Sequence, residues 1–459
     1  MRSFFAIFKQ TLRASIRSRV FHILIGFILL AVFLLPLTVT SDGTASGELK
    51  LSLTYSFTTV TVLLSLATVW LGCIGLSHEI ESYQIHMVMT KPAAGWLVWL
   101  GKWLAVFTMN AMVFLLAAGL MYTFIMLRFH YGDYSEEQRA AARQEVLVGR
   151  RTYAPDKPDF AALAQRRYEE MKDAGRLDPD HDPAQTIAEL KRQFRARSTE
   201  VPAGAPRVWR FTGLKEPGGE ERIAMRYRLY VGSTRQSAQR MTNGVWVFTN
   251  PELPEERRSA ILPQRVNSGS FHEITFPAEF IAGTEEIYLQ YSNLDPGRQS
   301  VIFQPEDGPL LLVAAAGFTT NWLRACLMIL MQLAALAALG CFFGAAFSPP
   351  VAVFAALSCL ILGAAASPDI GEPMRGSQGQ IMSWPVADML AHSVAVTLDK
   401  TMVTLDASRL AFKLAQGRLI DTVDIAKALV FELFLKGGVM AALGAWVLSR
   451  RELGKVMRQ

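Results

Sequence analysis

The sequence predicts a polytopic α-helical membrane protein. Six transmembrane helices, an amphipathic N-terminal interfacial helix and an inserted α+β extracytoplasmic domain are expected, the last with a helical part followed by a jelly-roll-like β-sandwich. Three observations predict this. Of 459 residues, 51% are hydrophobic and 19% charged, where a soluble domain carries about a quarter charged. The apolar residues gather in six runs, at 20–38, 55–77, 103–127, 323–347, 351–366 and 428–448. Most of these approach or exceed the ~20 residues that cross a bilayer as a helix. Between the third and fourth runs, residues 128–308 are polar and long enough to form a domain. A wholly soluble chain, a disordered chain and a secreted disulfide scaffold are excluded.

Charge follows the same division. Residues 1–127 and 309–459 together carry a net +7, and residues 128–308 a net −1. The overall +6 therefore sits beside the apolar runs, as the positive-inside rule describes, and does not mark a nucleic-acid binder. Cys73, Cys326, Cys341 and Cys359 all lie in or beside apolar runs. That placement excludes a disulfide-stapled external domain, and the spacing fits no metal knuckle. The first apolar run, at 19 residues, exceeds the 7–15 of a signal-peptide core, so no cleaved signal is expected.

Taken in order, residues 2–18 form a helix with Phe4, Phe5, Phe8, Leu12 and Ile16 on one side and Lys9, Arg13 and Arg17 beside them. Such a helix lies in the headgroup plane; a plain cytosolic helix is the alternative. Five basic and no acidic residues in 1–19 put this end in the cytoplasm. Span 1 (20–38) and span 2 (55–77) are joined by a short polar loop, 41–50. Span 3 is 103–127. In the polar segment, residues 136–147, 158–175 and 183–198 read as helices within a helical part, 135–198, that could be a mobile arm or a partner surface. Residues 205–308 read as strands. "RVWRFTGL", "RIAMRYRLYVG", "GVWVFTN", "SFHEITFPAEFI", "EEIYLQYSN" and "SVIFQ" alternate and are split by turn residues, which indicates a sandwich. Its aromatics are expected in the core rather than on a ligand platform.

An apolar lead-in, 310–318, is placed at the outer interface. Span 4 (323–347) starts with Arg324, whose stem can snorkel to the headgroups. Span 5 (351–366) is marginal. Residues 367–427 include amphipathic helices on the outer membrane surface, and span 6 (428–448) leads into a tail with four basic residues against one acid. The tail and the amino terminus then share the cytoplasmic side of the inner membrane, which six spans satisfy. The organisation is thus 1–127, 128–308 and 309–459, with 128–308 outside.

Catalytic chemistry is not legible. There is no G-x-x-x-x-G-K-[ST] loop and no G-x-S-x-G. "HEIESYQIH" at 78–86 fails as H-E-x-x-H because position 82 is Ser82. Glu432 and Lys436, at i, i+4, are expected to pair near the outer surface, with a proton relay as the alternative. Asn110 and Gln332 read as interhelical hydrogen-bonding groups. The chain is read as a non-catalytic subunit without a cofactor of its own.

The stretch after span 2 is the most informative. Glu79 and Glu81 leave the membrane. Tyr83 to Met89 form a short segment with apolar Ile85, Met87, Val88 and Met89 between Gln84 and His86. Thr90, Lys91 and Pro92 end it, since Pro92 biases Lys91 out of the helix. Trp96, Trp99, Lys102 and Trp103 then form an aromatic and basic belt. Phe4, Phe8, Lys9, Arg13, Arg17, Trp99, Lys102, Arg450 and Arg451 are the expected membrane-interface residues.

The order of these features resembles the permeases of type-2 ATP-binding-cassette (ABC) exporters. The matching residues are Ser77, Glu79, Glu81, Met87 to Pro92, Leu100 to Lys102 and "RREL" at 450–453. "N-x-x-R-A" at 321–325 and "SPPVAVF" at 348–354 are similar to a branch with a large external domain between spans 3 and 4. The resemblance covers about the first 127 and last 150 residues. It implies that 78–92 includes a coupling helix that docks on a separate ATPase subunit, which holds ATP and Mg. Glu79, Glu81, Tyr83, Ile85, His86, Met87, Thr90, Lys91 and Pro92 would carry that contact. It also implies a second permease copy, identical or paralogous. The expected function is ATP-driven export of an unidentified substrate. The alternative is an ATPase-driven mechanotransmitter that acts on an envelope partner without transport. A membrane-anchored sensor is disfavoured, since a sensor needs one or two spans.

Overall fold

The structure, a computed structural model, describes residues 2–38, 43–84, 94–156, 158–176, 182–215, 222–231, 241–281, 283–295, 299–304, 307–365, 374–375, 381–383, 385–403 and 407–451. The chain forms two compact units. One comprises Met1–Gly149, Gly317–Gly371 and Leu390–Gln459, the other Arg150–Ala316 and Glu372–Met389. In chain order the helices are α1 (Arg2–Ile16), α2 (Arg19–Thr38), α3 (Ala45–Glu81), α4 (Gly95–Tyr131), α5 (Glu136–Glu145), α6 (Phe160–Asp173), α7 (Pro183–Arg197), α8 (Phe318–Ala346), α9 (Pro349–Ala365), α10 (Val386–Thr401), α11 (Ala407–Ala415), α12 (Thr422–Lys427) and α13 (Gly438–Arg450). A π-helical segment, Ala428–Gly437, joins the last two; together they form the last span, Thr422–Arg450.

Among the described residues, four helices are long and apolar enough to cross a membrane: α3, α4, α8 and the last span. A fifth is reached if α1 and α2, bent by 62°, are counted as one broken span. The expected span 5 corresponds to α9, which has 17 residues. The chain therefore carries several membrane-length helices and a β-rich region.

Helix α3 begins ten residues before the expected span and takes in six of the ten residues of the expected loop at 41–50. The cause is local. Thr44 Oγ1 accepts from Gly47 N at 3.1 Å, which caps the first turn, and Glu48 complements the helix dipole there. The extension is held from outside, since Glu48 receives Arg128 Nη2 at 2.9 Å and Tyr134 Oη at 2.6 Å. Helices α3 and α8 cross almost backbone to backbone. A Cβ on Gly340 would stand 2.7 Å from Val69 O, one on Gly344 2.6 Å from Cys73 O, and one on Gly72 3.0 Å from Cys341 N. Small residues four apart permit such an approach in membrane helices. Above the crossing, Phe57 packs edge-on against Phe114 and Trp322, at 6.4 and 5.4 Å.

The second unit is a β-sandwich whose two main sheets have four strands each among the described residues. Its strands are β1 (Val148–Tyr153), β2 (Glu200–Val201), β3 (Pro206–Thr212), β4 (Arg222–Arg228), β5 (Tyr230–Val231), β6 (Met241–Thr249), β7 (Ser259–Asn267), β8 (Phe271–Pro277), β9 (Glu286–Asn293), β10 (Val301–Ile302) and β11 (Leu310–Gly317), with a small pair β12 (Met374–Arg375) and β13 (Ile381–Ser383). The two main sheets run β1-β11-β4-β8 and β3-β9-β6-β7, and β2-β10-β5 form a minor one. Successive main strands alternate between the sheets, apart from the β6–β7 hairpin. That is the order of a jelly roll. The inward residues are aromatic: Tyr227, Trp246, Tyr291 and Phe303 are all buried, and the Trp246 ring lies 4.9 Å from both tyrosine rings. Burial pushes the Tyr227 hydroxyl up to about 12. These aromatics are core, as expected, and each such pair contributes about 0.5–1.5 kcal/mol beyond its buried area.

Three expectations are corrected. The lead-in at 310–318 is not an interfacial segment: Leu310 to Leu312 pair with Arg226, Met225 and Ala224 of β4. Strand β7 is not among the six expected runs, and Pro263 lies within it. It pairs with β6 along nine residues, Pro263 lying opposite Val245 on the sheet edge, where a missing N–H costs no ladder bond. Finally, α5 belongs to the helical unit rather than to the polar domain, since Lys50 Nζ of α3 holds Glu145 Oε2 at 2.6 Å.

Candidate functional site

The candidate site is the end of the helical unit where α3 stops and α4 starts. Helix α3 ends on Ser82, whose N–H and Oγ both donate to His78 O, at 2.8 and 2.7 Å. Tyr83 then takes a left-handed φ of 60°, a conformation that costs an L-residue roughly 1–2 kcal/mol. Its N–H donates to Ile80 O at 3.2 Å. The chain thus turns sharply off the helix with Glu81, Ser82 and Tyr83 exposed. Ile85, His86, Met87, Thr90, Lys91 and Pro92 lie outside the described residues. Helix α4 begins beside the end of α13: a Cβ on Gly95 would stand 2.9 Å from Ser449 Oγ and 3.1 Å from its Cα.

The two flanks of this turn are tied together. Lys102 of α4 donates to Glu79 of α3. Its side chain is 6% exposed and that of Glu79 29%, so the pair faces inward. Removing one partner of such a pair leaves a buried charge without compensation, at about 3–5 kcal/mol. Lys102 is therefore not an outward-facing interface residue. Trp99 departs from the expected belt too. It is buried, and its indole Nε1 points at Cys341 O at 3.4 Å. Trp103 Nε1 donates to Ala334 O at 2.9 Å. The tryptophans stack along α4 and tie it to α8; Trp96 stays exposed. A facing direction is set by tertiary partners, which a local aromatic and basic pattern does not contain.

The remaining interface residues converge on the same place. Ile7 of α1 is buried against Gly101 of α4, where a Cβ would stand 3.1 Å from its Cγ2. Phe4 and Phe8 are half-buried, and Lys9, Arg13 and Arg17 are exposed. Phe5 and Ile16, expected on the apolar side, are exposed. The helix is amphipathic as expected, but its inner stripe rests on α4. Arg450 lies over the Trp446 ring at 4.7 Å. Arg451 Nη2 donates to Ala346 O at 2.7 Å and so closes the last turn of α8. One core links Ile7, Leu76, Val98, Trp99, Cys341, Ala345 and Leu448. Five helices, α1, α3, α4, α8 and α13, thus form a braced base around the turn.

At the opposite end of α8, Arg324 does not snorkel outward. Its Nη1 donates to Ile420 O at 3.0 Å, while Asn321 accepts from Ile420 N at 2.8 Å. Asn110 donates to Val106 O of its own helix at 2.9 Å. Glu432 and Lys436 do pair, at 2.7 Å, and lie ten and fourteen residues after Thr422, the first residue of the last span. The sequence reading missed the Gly340-x-x-x-Gly344 crossing; the signal was present as two glycines four apart in an apolar run. Among the described residues no group of His, Cys, Asp and Glu could hold a metal ion.

Compared with known proteins, the chain matches no protein family, no curated protein and no solved structure.

Proposed function

We propose that the chain is the membrane permease of a type-2 ABC exporter, which moves an unidentified substrate across the inner membrane with energy from a separate ATPase. The observation that carries the reading is the Glu79–Lys102 link inside the five-helix base. A partner that presses on the chain between α3 and α4 loads two helices that are tied to each other. Its push enters α3 and α4 together, and passes to α8 through Trp99, Trp103 and the glycine crossing. Transmission by rigid elements with two arrangements needs such an arrangement.

In this reading α2, α3, α4, α8, α9 and the last span are the six crossings. The braced base is cytoplasmic, the sandwich is outside, and a second permease copy completes the path. The partner chain holds ATP and Mg, and this chain performs no catalysis. The test is co-purification from the native membrane with a Walker-motif ATPase, followed by measurement of membrane-stimulated hydrolysis. Alanine at His86 and Met87 is expected to abolish stimulation at least tenfold. Unchanged association and unchanged stimulation would overturn the reading.

A further inference from the structure

The last span is wound in two ways. Thr422–Lys427 and Gly438–Arg450 are α-helical, and the ten residues between them are π-helical. At the junction the Gly438 N–H donates to Leu433 O, five residues back. π-Winding is rare, is mostly confined to single-turn bulges, and recurs at functional sites; ten residues is more than one turn.

Both flanks of this segment are held. Asn321 of α8 grips the chain before it, donating to Arg418 O and accepting from Ile420 N, each at 2.8 Å. At its lower edge Gly437 packs on Ala335, where a Cβ would stand 3.3 Å from the Ala335 Cα. Beyond it, Gly444 lies on the Trp99 indole, Leu448 is buried, and Arg451 closes α8. The upper flank therefore belongs to the Asn321 end of the bundle and the lower flank to the braced base.

The ion pair sits between these holds. Lys436 Nζ is 2.7 Å from Glu432 Oε1, with the lysine side chain 6% exposed and the glutamate 26%. Charges in the middle of a span are costly, and a well-packed apolar pair would serve packing as well or better. The pair and the unusual winding share ten residues of a helix that is otherwise thinly packed.

We propose that Ala428–Gly437 is a two-state joint in the last span. An i, i+4 ion pair forms in an α-helix as well, so the latch is the direction the pair faces: the π-wound state keeps Lys436 buried in the bundle, and rewinding turns its charge toward lipid, which is costly. Rewinding as α changes the turn and rise of the segment. Gly438–Arg450, with its contacts to Trp99 and Ala346, then rotates against the Asn321 end. The base can shift without tearing the far end loose. The joint rests on winding and charge alone and is independent of what drives the bundle.

The test uses the full chain in lipid nanodiscs, with Cys359 replaced by Ala and spin labels on cysteines at the exposed positions Val423 and Leu443. Wild type is expected to show one dominant distance. In E432L/K436L a second distance is expected in a tenth of molecules or more, displaced by several ångström, on the order of one 5.4 Å helical pitch. The thermal midpoint should stay at or above that of wild type. The conservative E432D/K436R should keep the single distance. The same single distance in wild type and E432L/K436L, or failure of E432L/K436L to fold, overturns the joint.

Discussion

Helix α8 and the last span lie side by side and are packed in opposite ways. In α8, 78% of the most apolar stretch is buried; in the last span, 17%. Helix α8 is α-wound throughout and locked to α3 by glycines that admit no side chain. The last span is π-wound through its middle and carries a charged pair there. In the proposed function, the difference separates two mechanical roles. A helix that must carry displacement unchanged is clamped along its length, and one that must take up displacement is held at its ends and left compliant between them.

The comparison breaks most visibly at the crossing. Gly340→Leu puts a side chain into Val69 O and should cost about 3 kcal/mol or more, as overpacked cores do, read as a large drop in the detergent melting temperature. Gly75→Leu, on the same helix pair but with nothing within 4 Å of its Cβ, should leave the melt within about 0.5 kcal/mol of wild type. Equal effects at the two sites would show that the clamp is not what holds α8 to α3.

The base gives the next largest effect. Glu79→Gln leaves the buried Lys102 without its charge partner and should destabilise by about 3 kcal/mol. Glu79→Gln combined with Lys102→Met should recover most of that stability and yet fail to transmit stimulation to the ATPase. A double variant that restores both would reduce the pair to packing.

Smaller effects sharpen the contrast. Tyr83→Gly relieves the left-handed strain at the end of α3 and should stabilise the folded state by roughly 0.5–1 kcal/mol, seen in equilibrium denaturation. In the sandwich, Arg210 and then Tyr288 hydrogen-bond Glu286 and hold its carboxyl below the usual carboxylate range. The stability this adds is present above the ordinary value of ~4.3 and is lost as pH falls through the depressed folded value. Glu286→Gln should flatten that acid limb slightly, in denaturation curves taken between roughly pH 5 and 3, without touching the helical unit.

Much of the fold was legible in the residues. Alternating runs such as "GVWVFTN" and "EEIYLQYSN" located β6 and β9 because one face of each is core and the other is not. Strand β11 escaped because Leu311 to Ala314 are buried on both faces, which erases alternation and imitates a membrane run. The site was legible as a place rather than as a geometry. Glu79, Glu81 and Tyr83 do flank a sharp turn. But Lys102 turns inward only because Glu79, 23 residues away, is brought beside it, and Trp99 is buried only because α8 and α13 close over it. Local pattern carries neither fact.

The most direct measurement is a site-specific cross-link. Glu81 is exposed beside the turn, and three of the four native cysteines are buried, so Glu81→Cys offers a clean handle in native membranes. A cross-link from this cysteine to the ATPase subunit, blocked by a reagent that enters the cytoplasm and unaffected by one that does not, is predicted. Labelling of the same cysteine from outside intact cells, with no cross-link to an ATPase, would contradict the coupling role of the braced base.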